Sequence, residues 1–118
     1  MRSISSSILD DKKKNGIGII PFLTSGFPNI RLSKDIILNL LDEKLCSAIE
    51  VGIPFSDPIA EGKTIQKSSS VALKNGVTID NTLKMISDIN DNNPNKTPIV
   101  SMGYYNPIFK MGLDNFLS

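Results

Sequence analysis

Two glutamates in the middle of the chain could carry acid–base chemistry. Glu50 stands inside an apolar run, between Ile49 and Val51, and Glu61 stands in the polar loop that follows. A charge in a buried strand is costly unless it is paired or used, and functional sites collect such groups. Two carboxylates can divide proton transfer between them if one cycles its proton and the other stays ionised.

Each acid also has a structural interpretation that the sequence leaves open. Glu50 could be a buried acid that pairs with a Lys or Arg elsewhere in the fold. Asp57, within Ser-Asp-Pro, could be an ordinary turn residue, and Glu61 before a glycine could be a solvated loop acid. The order of the whole stretch at 48–66 is more informative than any one of these residues.

Apolar runs and helical stripes alternate along the chain and give the elements that must position these acids. Strands are predicted at 17–24, 48–52 and 98–103, and the first reads as a strand covered on both faces. A helix is predicted at 31–45, and its buried stripe consists of Ile36, Ile37, Leu40 and Leu41. A second helix is predicted at 64–74. A third is predicted to follow an N-cap at Thr78, and its buried residues are Ile79, Leu83, Ile86 and Ile89. The pattern also predicts an amphipathic helix within 1–16, with Ile4, Ile8 and Leu9 on one side, a loop at 91–95, a strand end at Pro107 and a helix at 112–118.

Strands that alternate with helices predict a parallel sheet and an α/β fold. An acid near the end of an apolar strand, followed by an acidic loop, is typical of a (β/α)8 TIM barrel, whose chemistry sits at the carboxyl ends of its strands. A complete barrel needs about 250 residues, whereas this chain has 118 residues and supplies about three of the βα units. We therefore expect residues 1–118 to be the N-terminal part of a single barrel domain in a longer protein.

Composition excludes several classes of function. The formal net charge of +1 gives no reason to expect a nucleic-acid partner, and one Cys without any His leaves neither an internal disulfide nor a plausible metal site. No run approaches the ~20 apolar residues that span a bilayer, and residues 1–16 lack the apolar region of a secretory signal. Frequent Ile, Lys and Asn indicate an AT-rich genome, so we expect a plastid (chloroplast) stroma or a bacterial cytoplasm.

Three motifs occur in order along the chain: PFLTSGFP at 21–28, IEVGIPFSDPIAEGKTIQ at 49–66 and SMGYYNPIFKMG at 101–112. Together they resemble the first three strand ends of the tryptophan synthase α chain family, and the resemblance covers the chain from about residue 17 onward. It implies a lyase that splits indole-3-glycerol phosphate into indole and glyceraldehyde 3-phosphate in tryptophan biosynthesis.

The resemblance also implies roles for individual residues. Glu50 matches the family's acid–base glutamate, and Glu61 falls where the family has the aspartate that accepts from the indole nitrogen. The carboxylate at 61 is therefore one methylene further out than in the family. Phe22 and Met102 match positions that line the indole pocket, and Tyr104 lies at the strand end beside them.

A partner and its cofactor follow from the same resemblance. Pro54, Asp57, Asn106 and Pro107 match loop positions that face the tryptophan synthase β chain in an α2β2 tetramer. The β chain carries pyridoxal phosphate and converts the indole to tryptophan. We therefore expect no cofactor and no metal on this chain.

Three other functions stay open at the level of sequence. The protein could be a stand-alone indole-3-glycerol-phosphate lyase, or a non-catalytic subunit that only activates the β chain. A generic phosphate-sugar barrel enzyme is a weaker alternative, because it would not explain the SDP loop together with the YYNP motif. Barrels of this type usually bind phosphate after strands seven and eight, so we expect residues 1–118 alone to be inactive.

Overall fold

A computed structural model describes residues 2–93 and 96–118. The helices are α1 (Ile4–Asn15), α2 (Ile30–Asp42), α3 (Lys63–Lys74), α4 (Ile79–Asp91), α5 (Tyr105–Met111) and α6 (Leu113–Leu117), and the strands are β1 (Phe22–Thr24), β2 (Ile49–Gly52) and β3 (Ile99–Met102). Among the helices of these residues, none combines the length and the apolar character that crossing a bilayer requires.

The three strands form one parallel sheet in the order β1-β2-β3. Phe22 lies in register with Glu50, and Glu50 in turn with Val100. Each strand is joined to the next through helices, as parallel strands require. The predicted parallel sheet and βα alternation are therefore confirmed, and residues in register across the sheet share a face.

One face of the sheet packs against helices α2 and α4 and forms the core. Ile37 from α2, Ile89 from α4, and Ile49 and Val51 from β2 are completely buried in this cluster. The stripe predicted on α2 is only partly buried, because Ile36 is 42% exposed while Ile37 and Leu41 are covered. The alternate residues of the strands face the other side of the sheet, where the barrel interior would lie.

The first strand is shorter than the predicted run at 17–24. Regular strand structure begins at Phe22, although carbonyl groups further back still accept bonds from the second strand: Ser47 N donates to Ile19 O at 2.8 Å and Glu50 N donates to Pro21 O at 2.9 Å. Pro21 has no N–H to donate, which interrupts the ladder. Ile17 and Ile19 are exposed, so the expectation that both faces of this run are covered is wrong for the described residues.

Helix α1 is present as predicted, but its buried side differs. Ser7 is the buried residue of this helix, and its Oγ donates to Ser47 O at 2.5 Å, whereas Ile8 of the predicted apolar side is half-buried. Ile4 and Leu9 are exposed. A hydrogen bond therefore holds this helix at a position where the sequence suggested an apolar contact. A polar side chain can be buried when it has a hydrogen-bond partner.

The helices begin with a capping side chain where the residue before the first turn can accept a hydrogen bond. Thr78 caps α4 as predicted, because its Oγ1 accepts from Asn81 N at 3.2 Å while Thr78 N donates to Asn81 Oδ1 at 2.8 Å. The predicted burial of Ile86 and Ile89 is confirmed, whereas Ile79 and Leu83 are half-buried. The loop predicted at 91–95 includes Pro94 and Asn95, which lie outside the described residues.

The third βα connection corrects one prediction. The third strand ends at Met102, and Pro107 lies in the first turn of α5 instead of ending the strand. Proline is tolerated there because the first N–H groups of a helix have no intrahelical acceptor. The helix predicted at 112–118 is confirmed as α6.

Candidate active site

A cavity opens where the carboxyl ends of β1, β2 and β3 meet the loops that follow β2 and β3. Its volume is about 220 Å³. The residues that line it are Phe22, Thr24, Gly52, Ile53, Ala60, Glu61, Ile65, Ser69, Met102, Gly103 and Tyr104. The sequence-predicted residues Phe22, Glu61, Met102 and Tyr104 are therefore brought together in one place.

The cavity wall is mostly apolar, and Gly52 gives Phe22 its space. A Cβ at Gly52 would stand 2.5 Å from Cζ of Phe22. The ring therefore lies directly over the glycine and forms the floor next to Met102. Small-molecule sites usually have roughly 300 to 1,000 Å³, so the walls that this chain contributes enclose less than a whole site of that kind and have room for one aromatic ring.

Tyr104 holds the acidic loop at the cavity mouth. Its hydroxyl accepts from Ile59 N at 2.8 Å and from Ala60 N at 3.1 Å, and it donates its proton to Oε2 of Glu61. A phenol has one proton and two lone pairs, so the hydroxyl is fully used by the loop. Tyr104 can therefore offer its ring to a ligand, while its oxygen serves the protein.

The ring of Tyr104 is fixed from the other side by an aromatic contact. Phe55 stacks on it with the ring centroids 4.7 Å apart and the planes 27° apart. Such offset stacking fixes ring orientation as well as burying area. The tyrosine is thus held by the loop after β2 through both its ring and its hydroxyl.

The backbone of Glu61 is tied to the helix that follows it. Only Gly62 separates Glu61 from α3, and Gln66 Nε2 donates to Glu61 O at 2.8 Å. The side chain is half-buried, with Oε2 on Tyr104. The alternative that Glu61 is a freely solvated loop acid does not describe this arrangement.

Glu50 shares the sheet face with Phe22 but is not part of the cavity lining. It precedes Gly52 by two residues, which places it about 7 Å further from the carboxyl end of the strand. The side chain is half-buried, and no ion pair or hydrogen bond reaches it from residues 2–93 or 96–118. The interpretation of Glu50 as a buried acid paired with a cation has no support within those ranges.

The residues predicted to face a partner differ in accessibility. Asp57 and Asn106 are exposed, and Ser56 Oγ donates to Asp57 Oδ2 at 3.2 Å, as in a turn. Pro54 is buried within this chain, and Pro107 is half-buried in α5. Of the four, Asp57 and Asn106 thus expose polar side chains to a partner.

Seven residues of the cavity lining were not predicted as site residues from the sequence, and for three of them, Thr24, Ile65 and Ser69, the sequence does carry a signal. Thr24 follows Phe22 by two residues, so the strand period puts both on one face. Ile65 and Ser69 are four residues apart on α3, so they lie on one side of that helix. All three could have been predicted from the sequence by counting two residues along the strand from Phe22, and four and eight residues into the next helix from Glu61.

Within the described residues, neither a cluster of potential metal ligands nor the thiol of this chain lies at the site. The described residues contain no group of three or more His, Cys, Asp or Glu side chains that could hold a metal ion. Cys46 lies in the core under α2, and burial raises the pKa of its thiol. A thiol of this kind is a poor nucleophile.

Comparison with known proteins gives a consistent result. A sequence profile described as tryptophan synthase alpha chain matches residues 8–118. The tryptophan synthase alpha chain of Petrotoga mobilis is 46% identical over 105 residues, which cover 89% of this chain and 40% of that protein. This chain therefore spans about 40% of the length of such a relative.

Solved structures match the fold as well as the sequence. Tryptophan synthase subunit alpha from Legionella pneumophila aligns with a TM-score of 0.83 at 34% identity, over 98% of this chain and 44% of that one. A chain of the tryptophan synthase complex from Pyrococcus furiosus aligns with a TM-score of 0.76 at 45% identity, over 85% of this chain and 40% of that one. These alignments confirm the prediction of a TIM barrel of which this chain holds about three βα units. The chain belongs to the tryptophan synthase alpha chain family.

Proposed function

We propose that the full-length protein is the α subunit of a tryptophan synthase and cleaves indole-3-glycerol phosphate to indole and glyceraldehyde 3-phosphate. One observation carries the proposal most directly. The carboxylate of Glu61 is held by the Tyr104 hydroxyl at the wall of a ring-sized apolar cavity, next to Phe22 and Met102. An apolar slot with one acid at its edge suits an aromatic ring that carries a single N–H.

The reaction is an aldol-type cleavage of a carbon–carbon bond, and it requires three proton movements. The ring carbon that leaves must be protonated, the indole N–H needs an acceptor, and a base must take the proton of the glycerol hydroxyl. We assign to Glu61 the role of acceptor for the indole N–H. The Tyr104 hydroxyl occupies its Oε2, which leaves Oε1 to accept from the indole.

We assign to Glu50 the role of general acid and base, which protonates the ring carbon and takes the proton of the glycerol hydroxyl. Its side chain rises from the same sheet face as Phe22, and the two residues are in register, so Glu50 lies at the depth of the residue that forms the cavity floor. A group at that depth can reach the reacting carbon and the neighbouring hydroxyl if the ring lies on Phe22. General acid–base catalysis of this kind contributes roughly a hundred- to ten-thousandfold.

The glutamate at 61 departs from the aspartate of the family, and we propose that the loop compensates. Tyr104 binds the N–H groups of Ile59 and Ala60 as well as the carboxylate, so the backbone before Glu61 is drawn towards the third strand. This contact fixes where the longer side chain begins. We infer that the loop position offsets the extra methylene.

A second subunit is part of the proposal. The P. furiosus relative comes from a structure described as a tryptophan synthase complex. Here the loop after β2 exposes Asp57 and, two residues on, Ile59, whose side chain is 87% exposed. We propose that this loop and Asn106 contact a β chain in an α2β2 tetramer, and that Pro54 and Pro107 shape these segments. Pyridoxal phosphate would belong to that β chain.

The frequent Ile, Lys and Asn residues support a location for the protein. We propose that it works in a plastid stroma or in a bacterial cytoplasm. Expression of a tagged full-length protein in the source cell and imaging of its position would test the location.

The test of the proposed function is cleavage of indole-3-glycerol phosphate by the full-length protein, followed through glyceraldehyde 3-phosphate. We expect Glu50→Gln to lower kcat by at least about a hundredfold, whereas Glu43→Gln, an exposed acid at the end of α2, should leave it unchanged. A Glu50→Gln variant with an unchanged kcat would show that Glu50 has no part in the mechanism.

The same assay with added β chain separates the alternative functions. A stand-alone lyase would release indole at a rate that the β chain does not alter. A non-catalytic activating subunit would stimulate the β chain without any cleavage of indole-3-glycerol phosphate. The proposed α subunit cleaves its substrate and is stimulated by the β chain.

A further inference from the structure

Two buried hydroxyl groups meet between the end of β1 and helix α3. Thr24 Oγ1 and Ser68 Oγ are 2.7 Å apart, and both residues are buried. Ser68 Oγ also donates to Ile65 O at 2.9 Å. A hydroxyl has one proton, so both contacts of Ser68 are made at once only when Thr24 donates to Ser68 and Ser68 donates to Ile65 O.

Helix α3 connects this bond to Glu61. The helix begins two residues after Glu61, and Gln66 Nε2 donates back to Glu61 O at 2.8 Å. Ser68 stands half a turn beyond Gln66 on the same helix. Any shift of the first turns of α3 against β1 therefore moves the backbone from which the Glu61 side chain extends.

The far end of α3 is fastened to the same strand end. Asn75 Nδ2 donates to Pro28 O at 2.7 Å, in the loop that follows β1. The helix is thus held at its middle, through Ser68, and at its C-terminal end, through Asn75, against one segment of the chain. Of the two contacts, only the Thr24 bond lies near Glu61, and Thr24 is itself part of the cavity wall.

We propose that Ser68 is a positioning residue for Glu61, acting through its acceptance of the Thr24 hydroxyl proton. The bond sets the distance between the cavity floor, which β1 supplies through Phe22, and the acid, which the start of α3 holds. Ser68 touches no ligand in this arrangement. The inference rests on the proposed function and adds a residue to it that the three motifs do not single out as a site residue.

The first test is Ser68→Ala in the full-length protein, assayed for cleavage of indole-3-glycerol phosphate. We expect kcat to fall on the order of tenfold, since a misplacement of about 1 Å can cost on the order of a hundredfold. KM should change by less than about twofold, because barrels of this type bind phosphate at later strands. Ser70→Ala, an exposed serine on the same helix, is the matched control.

A double variant separates positioning from general stability. In a Glu61→Gln background, Ser68→Ala should lower kcat by less than about twofold more, because the group that it positions is already gone. A full tenfold loss in that background would overturn the proposal, as would an unchanged kcat in Ser68→Ala alone. A wild-type protein without any cleavage would overturn the proposed function and this inference together.

A second pair of variants serves if Ser68→Ala does not fold. Thr24→Ser keeps the hydroxyl and should retain kcat within about threefold, whereas Thr24→Val removes the proton and should lose on the order of tenfold. Equal activity of the Ser and Val variants would overturn the proposal.

Discussion

At the level of single residues, Tyr104 links the two loops that enclose the cavity. We expect Tyr104→Phe in the full-length protein to lower kcat for indole-3-glycerol phosphate cleavage by about ten- to a hundredfold. The ring and its stacking on Phe55 would remain, but Glu61 and the N–H groups of Ile59 and Ala60 would lose their shared partner. Steady-state kinetics measure the effect.

The matched control is Tyr105→Phe. Tyr105 is 61% exposed and contacts Phe109 through its ring, which the substitution preserves. Equal kinetics of the two variants would mean that the Tyr104 hydroxyl has no part in holding the acid.

Cys46 should make stability depend on alkaline pH. Burial raises the pKa of its thiol above the ordinary value, so the folded state keeps the proton when the unfolded chain begins to lose it. This contribution is present below the unfolded pKa and is lost as pH rises through the folded one. We expect the free energy of unfolding to fall less steeply above about pH 9 in Cys46→Ala than in the wild type. Denaturant titrations at several pH values measure this, and parallel slopes would contradict it.

Part of the site could be predicted residue by residue. The motifs placed Phe22, Met102 and Tyr104 at strand ends and Glu61 in the loop after the second strand. Parallel strands bring such ends together, so the cavity follows from topology. The bonds of the Tyr104 hydroxyl could not be predicted, because they depend on the path of a loop and not on residue type. The position of Glu50 beside Phe22, two residues before Gly52, also required the register of the strands.

At the level of secondary-structure elements, the turn after β1 depends on one glycine. Gly26 has a φ of +84°, and a Cβ there would stand 2.1 Å from Val77 Cγ2. We expect Gly26→Ala to destabilise the full-length protein by about 2–5 kcal/mol, which combines the left-handed conformation with overpacking. Thermal or denaturant unfolding measures the loss.

Gly62→Ala is the control for that substitution. A Cβ at Gly62 meets nothing within 4 Å, and its φ of -70° suits any residue. A Gly26→Ala protein as stable as Gly62→Ala would show that the turn can move away from Val77.

The elements themselves were largely predictable, and their ends were not. Periodicity found α2 and α4 because their apolar residues recur at helical spacing. It placed Pro107 at a strand end because proline interrupts pairing, although the first turn of a helix accepts it equally well. It also assigned Ile4 and Leu9 to a buried side, where a hydrogen bond from Ser7 decides the contact instead.

At the level of the whole molecule, residues 1–118 leave apolar surface that a complete barrel would cover. Ile17, Ile19 and Leu45 are each more than half exposed, and both outer strands of the described sheet have a free edge. Such edges favour association. We expect residues 1–118 produced alone to self-associate and to lack cleavage activity. Light scattering and the cleavage assay test this, and a monodisperse, active chain would contradict it.

The measurement that bears most directly on the proposed function is the cleavage rate of the full-length protein with and without the Glu61 carboxylate. We predict that Glu61→Gln lowers kcat by at least about a hundredfold. Glu61→Asp keeps the carboxylate but withdraws it by one methylene from a loop that is positioned for the longer side chain, so we expect its kcat to lie between those of Glu61→Gln and the wild type. A Glu61→Gln protein that releases indole as fast as the wild type would contradict the role of this acid, and with it the mechanism assigned to the cavity.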